Sequence, residues 1–221
     1  MEFQVARLQE IVNKIQYFSK LHFKNAVDIG ILLETEGLDI TDINKLIGAG
    51  VRKIGFSKLE QFSEYEHLLL PCEKYYLGDL DGQNLSPILA NFSVIESLVT
   101  IEQARQISDL NARAGRVTKV LMRLNVLSEI KKFGFLPAEM NEATYEIALM
   151  SGLRMIGVNS YVPPVADKME KTAWRKIGTV YKILTQRFRG LEVLSLNYAD
   201  NLRDLIGEGV NEVRIGVKSL A

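Results

Sequence analysis

Hydrophobic residues in this chain follow two alternating rhythms. Val5, Leu8, Val12, Ile15 and Phe18 recur at helical spacing, with Arg7, Glu10, Lys14 and Lys20 left for water. They predict an opening amphipathic helix over residues 3–22. Ile29-Gly30-Ile31-Leu32-Leu33 then makes a short apolar run, bounded by Asp28 and stopped by Glu34, Glu36 and Gly37. Such a run suits a parallel strand covered on both faces. Carboxylates are rarely buried unpaired, so Glu34 and Glu36 mark the strand's carboxyl end. They share one face if the chain stays extended through them.

The alternation then repeats. Helical spacing returns over 39–49, with Asp39 or Thr41 as its cap and Gly48 and Gly50 at its end. Further strands are predicted at 53–56, 74–77, 94–97, 119–124, 153–158, 193–195 and 212–215. Between them lie helices at 59–70 (stopped by Pro71), 85–91, 101–115, 137–150 (entered through Pro137), 168–187 and 200–206. About eight strand–helix units is the count of a (β/α)8 barrel. The expectation is an α/β fold, a single TIM barrel domain over residues 1–221 with an extra amino-terminal helix. A doubly wound open sheet is the alternative, but no Gly-rich loop of the dinucleotide or P-loop type follows any predicted strand.

Composition narrows the function classes. The 221 residues are 47% hydrophobic and 24% charged, ordinary for a globular chain with a real core. Lys+Arg and Asp+Glu both number 27, a balance that points to neither a nucleic-acid nor a membrane surface. The densest basic spots, Arg187-Phe188-Arg189 and Lys131-Lys132, read as solvated faces. Cys72 is the one cysteine, so no intrachain disulfide forms, and it reads as an inert, partly buried thiol. No leader pattern opens at Met1 and no apolar run is long enough to span a bilayer, so a cytoplasmic location is expected. His22 and His67 have no metal-ligand neighbour at turn or helical spacing and read as structural or surface residues. Trp174 is expected to pack its helix onto the barrel, and Tyr161 with Pro163-Pro164 to form either a lip over the mouth or a packed loop.

In such a barrel, function sits at the carboxyl ends of the strands. The chain places there Glu34, Thr35 and Glu36; Ser57 and Lys58; Asp79 and Asp81; and Asn125, Ser128 and Lys131. Later strands add Asn159, Ser160 and Tyr161; Asn197, Tyr198 and Asp200; and Gly216, Val217 and Lys218. Glu34, Glu36, Asp79 and Asp81 would make an acidic mouth. Paired carboxylates there suit general acid–base work or a hard cation such as Mg²⁺, making these four the candidate metal ligands. They equally suit solvated loop acids near helix amino termini. Arg214, on the last strand, is either a ligand contact or a buried arginine paired with Glu34 or Glu36.

Several phrases carry a resemblance. They are Ala49-Gly50-Val51-Arg52-Lys53-Ile54-Gly55, Tyr75-Tyr76-Leu77-Gly78-Asp79-Leu80, and Arg123-Leu124-Asn125-Val126 with Lys132-Phe133-Gly134-Phe135 beyond it. Leu194-Ser195-Leu196-Asn197-Tyr198-Ala199-Asp200 and Val213-Arg214-Ile215-Gly216 complete the set. In order and spacing the chain resembles the alanine racemase N-terminal-like barrels, specifically the short pyridoxal phosphate (PLP) homeostasis, or YggS-type, proteins. The resemblance implies PLP as the family cofactor, held by a lysine at the end of the first strand in a lysine-threonine-lysine-proline setting. The matching place here is Glu34-Thr35-Glu36-Gly37, so the lysine position is Glu34 or Glu36, and no lysine lies between Lys24 and Lys45. A Schiff base needs an amine. The resemblance also implies phosphate-binding hydroxyls where this chain has Ala199 and Val217, and a glycine where it has Asn197. Arg214, placed by the resemblance at the pyridine nitrogen, is kept with Gly216; these, with Asn197 and Ser195, are the cofactor-binding candidates for a PLP-like ligand.

Three functions follow as expectations. The first is a diverged, non-catalytic family member without covalent PLP, a pseudoenzyme holding an unidentified small molecule at the barrel mouth. The second is a protein that holds PLP without a covalent bond in vitamin B6 or amino-acid homeostasis. The third is a repurposed enzyme using Glu34 or Glu36 as base on an amine-bearing molecule. A two-domain racemase is not expected, because residues up to Ala221 supply no second domain with an opposing tyrosine.

Overall fold

A computed structural model describes residues 2–22, 29–127, 134–163, 167–198 and 200–221. Eight parallel strands close into a barrel in sequence order: β1 (Gly30–Glu34), β2 (Lys53–Phe56), β3 (Glu73–Tyr76), β4 (Val94–Leu98), β5 (Thr118–Arg123), β6 (Leu153–Ser160), β7 (Val193–Asn197) and β8 (Glu212–Ile215). Closure is made by β1 against β8, with Ile31 beside Val213 and Leu32 beside Arg214. The helices are α1 (Glu2–Leu21), α2 (Ile40–Gly48), α3 (Leu59–Tyr65), α4 (Leu85–Asn91), α5 (Ile101–Ala114), α6 (Met140–Ala148), α7 (Asp167–Arg187) and α8 (Leu202–Gly207).

The expected barrel is present, with one refinement. β8 is followed by a 3-10 turn, Val217–Ser219, rather than a helix. α1 packs against both α8 and α2, and so takes the ring position that a helix after β8 would hold. The extra amino-terminal helix is therefore a structural member of the barrel's outer layer.

Two separate apolar clusters reflect the two faces of the strands. The larger joins outward strand residues such as Leu33, Ile54 and Val213 to helix residues such as Ile43, Ile107 and Trp174. The smaller holds strand residues only (Leu32, Tyr75, Val94, Leu121 and Ile156) and fills the barrel interior. Towards the amino-terminal end the interior is closed by Lys–Glu pairs: Lys53 to Glu212 at 2.5 Å and Lys119 to Glu73 at 3.3 Å. The apolar plug and these pairs close the lower barrel, leaving the carboxyl end as the open mouth.

Three predicted boundaries shift for identifiable reasons. α3 ends at Tyr65, not at residue 70, because Asn44 bonds the chain beyond it, accepting from Leu70 N and donating to Leu68 O. Pro137 lies in a turn ahead of α6, where the Glu139 carboxylate accepts from Leu136 N. β6 runs two residues further than expected, through Asn159 and Ser160. Asp39, not Thr41, caps α2, accepting from Asp42 N at 2.8 Å.

Candidate functional site

The mouth is organised by the end of β1. Thr35 N donates to Gly55 O on β2, and Thr35 Oγ1 lies 3.0 Å from the same oxygen. Gln61 of α3 donates back to Thr35 O at 3.1 Å. Leu38 N bonds Thr35 O across a tight turn in which Gly37 takes φ +80, a conformation that favours glycine. The strand therefore stops at Glu34, so the condition under which Glu34 and Glu36 would share a face, an extended chain through both, is not met. Glu36 swings out to 73% exposure and lies 3.9 Å from Lys58, itself exposed. Glu34 stays in the mouth.

Arg214 projects into the barrel from β8, buried to 4% exposure, with every guanidinium nitrogen engaged. Nε lies 3.3 Å from Glu34 Oε1, Nη1 is 3.2 Å from Glu96 Oε2, and Nη2 donates to Ser160 O at 2.7 Å. Of the two acids proposed as its partner, Glu34 is the one in place. Glu96, from the middle of β4, is an addition that the sequence reading passed over. An acid inside the otherwise apolar Val94-Ile95-Glu96-Ser97 was the available signal, because a fully buried parallel strand has no solvated face for it.

Burial pushes the Glu96 carboxyl up to about 8; the nearby Glu212 adds to this and the Arg214 charge opposes it. Glu96 Oε1, Glu212 Oε1 and Ser195 Oγ are all buried close to one another, yet none has a well-formed hydrogen bond among the described residues. The Tyr75 hydroxyl below them is pushed up by burial and by Glu212. The last member is Arg123, at the end of β5. Burial lowers its pKa, Arg214 lowers it further, and Glu96, Glu34 and Asp79 partly offset this.

A cavity of about 510 Å³ opens above this cluster, bordered by Glu34, Glu96, Arg123 and Arg214 and walled by Leu77, Leu124, Leu127, Tyr161 and Pro163. No lysine borders it among the described residues. Tyr161 and Pro163 thus lie at the lip, while Pro164 falls outside the described residues. A second cleft of about 990 Å³ adjoins it, bordered by Glu34, Glu36, Tyr198, Asp200, Gly216 and Val217.

The other candidates divide. Ser195 lies in the barrel interior, fully buried. Asn197 holds the β6–α7 connection with both amide atoms, accepting from Val162 N at 3.0 Å and donating to Val162 O at 2.9 Å. Gly216 faces Glu34: a Cβ there would stand 3.4 Å from Glu34 Oε2. Asp79 accepts from Asp81 N, and Asp81 accepts from Gln103 at 2.7 Å, so both are tied into their own loop and neither borders the mouth cavity. The four-acid mouth is thus reduced to Glu34. Among the described residues no three His, Cys, Asp or Glu side chains come together as a metal would require. Asn159 and Ser160 are strand ties: Asn159 Nδ2 donates to Glu96 O and Ser160 Oγ to Leu124 O. Ser128, Lys131, Lys132, Phe133, Asp28, Lys24 and Ala199 lie outside the described residues. His67 is exposed, and Trp174 is buried against the barrel. Cys72 is half-buried, which pushes its thiol up.

A parallel barrel with a charged cluster at the carboxyl end of its strands is the architecture of barrel enzymes and of binding proteins built on the same frame. The chain belongs to the alanine racemase N-terminal domain family, whose model matches residues 3–219. It is 22% identical to the pyridoxal phosphate homeostasis protein of Pseudomonas aeruginosa over 211 residues, covering 95% of this chain and 91% of that one. Among solved structures, an unknown protein from Bifidobacterium adolescentis superposes with a TM-score of 0.89 at 21% identity, covering 100% of this chain and 95% of the other. PipY of Synechococcus elongatus, solved with PLP bound, superposes with a TM-score of 0.79 at 16% identity, covering 99% and 100%. These likenesses establish the fold. No helix among the described residues is long and apolar enough to cross a membrane.

Proposed function

We propose that this chain is a non-catalytic, ligand-binding member of its family that does not carry PLP covalently. The observation that supports this is Glu34. At the end of β1, one of the two positions where the resemblance places the PLP lysine, it is an acid paired with Arg214; the other, Glu36, is an acid too. The residues present do not fit the covalent cofactor. A carboxylate offers no amine, each guanidinium nitrogen of Arg214 already faces a protein oxygen, and Asn197 has both amide atoms committed to Val162. Glu34 Oε2 also faces Gly216, so a phosphate near that loop would meet a negative charge.

A second reading, PLP held without a covalent bond, has one observation in its favour. Arg214 is retained, and the relatives are PLP homeostasis proteins, one neighbouring fold being solved with PLP bound. The test is to incubate the protein with PLP, reduce with borohydride and map any adduct by mass. No adduct on a lysine at the barrel mouth is expected, whereas Glu34→Lys should gain one. A mouth-lysine adduct on the unmodified protein would overturn the proposal. PLP that co-purifies through gel filtration yet escapes reduction would favour the second reading.

A further inference from the structure

Arg214 and Arg123 both enter the mouth, but they are treated differently. Arg214 is matched by two acids and a carbonyl. Arg123 Nε is buried with no hydrogen-bond partner, and its guanidinium forms no ion pair with any acid among the described residues. Glu34 and Glu96 act on it only at longer range. An N–H taken out of water with no acceptor loses the full strength of its hydrogen bond to water. The guanidinium stays charged, so the deficit is one that an anion can fill.

The surroundings of the cavity restrict which anion. A planar carboxylate matches the fork of a guanidinium through two parallel hydrogen bonds. Glu34 stands in the same cavity, and its carboxylate repels a phosphate dianion more than a monoanion. Besides Ser57 and Asn125, the remaining walls are Leu77, Leu124, Leu127, Tyr161 and Pro163, which offer a tail apolar contact. A volume of about 510 Å³ holds a small organic molecule.

We propose that Arg123 anchors a binding site for a small organic monocarboxylate, its head on the guanidinium and its apolar tail against Leu77, Leu124 and Tyr161. This rests on the reading that covalent PLP does not fill the mouth. The free guanidinium supplies the affinity for the head, and the apolar walls supply discrimination by tail length.

The test is thermal unfolding of the full chain, at constant ionic strength, with acetate, butyrate, hexanoate, hexanol and inorganic phosphate. A ligand that binds only the folded state raises the midpoint. The midpoint should rise in the order acetate, butyrate, hexanoate, and stay unchanged with hexanol and phosphate. Arg123→Met should weaken hexanoate binding at least about tenfold, while its own ligand-free midpoint is equal or higher, because an unpaired buried charge is removed. Tyr161 is 56% exposed, so Tyr161→Ala should fold normally, weakening hexanoate and sparing acetate. No midpoint shift with hexanoate, or equal shifts in the unmodified protein and Arg123→Met, would overturn the proposal. Running the PLP reduction on the same sample separates the two failures. A mouth-lysine adduct sinks the proposed function, whereas no adduct and no carboxylate shift sinks only the role of Arg123.

Discussion

At the scale of single residues, the mouth is a problem in balancing buried charge. Arg214 and Glu96 are each expensive to bury and each made tolerable by the other. Removing one leaves the other stranded. Arg214→Met should destabilise the protein by about 3 kcal/mol in urea unfolding, and adding Glu96→Gln to it should recover part of that loss. Glu96 also makes stability depend on pH in a definite direction. Its folded pKa lies above its unfolded value, so its contribution is complete below about pH 4.5 and is lost as pH rises through about 8. Unfolding free energies measured from pH 5 to 8 should fall in the unmodified protein relative to Glu96→Gln, by up to about 1.4 kcal/mol per pH unit. A difference that does not change with pH would mean that Glu96 is ionised throughout. Glu34 and Arg214 were legible in the sequence because each is a charged residue in or at the end of an otherwise apolar strand. Glu96, Arg123 and Glu212 were not. They lie on strand segments whose period assigns each a face, and only closure of the barrel shows that this face is its interior, with Glu96 and Arg123 bordering the mouth cavity and Glu212 lower down beside Lys53.

At the scale of elements, the strand rhythm was legible and the ends were not. Each of the eight strands lies where the apolar runs predict, since burial on both faces leaves a continuous apolar signature. Ends depend on long-range bonds that no local pattern contains. Asn44 draws the chain out of α3, and the Asn159 and Ser160 side chains tie the end of β6 to Glu96 O of β4 and to Leu124 O just beyond β5. The same closeness explains Gly157 in β6, where a Cβ would stand 2.0 Å from Val193 O of β7. A backbone oxygen in a barrel cannot yield as a side chain can. Gly157→Ala should therefore cost about 2 kcal/mol or more, read as a lowered urea midpoint. The turn after β1 has the largest consequence for function. It holds Glu34 inside and sends Glu36 to solvent, leaving Glu34 as the acid beside Arg214.

At the scale of the whole molecule, the barrel is that of the family, and the proposed difference in chemistry is confined to its mouth. α1 completes the helical ring, the apolar plug and the Lys–Glu pairs close the lower interior, and the carboxyl end stays open. A frame of this kind supports many functions because its stability resides below the strand ends that carry them. The proposed function turns on the acid at the end of β1, paired with the arginine of the adjacent strand β8. The most direct measurement is the electron density of crystals grown with excess PLP. Glu34 should remain within hydrogen-bond distance of Arg214, with no density joining PLP to any lysine. Density continuous from a lysine Nζ into PLP at the barrel mouth, with Glu34 displaced from Arg214, would contradict the account.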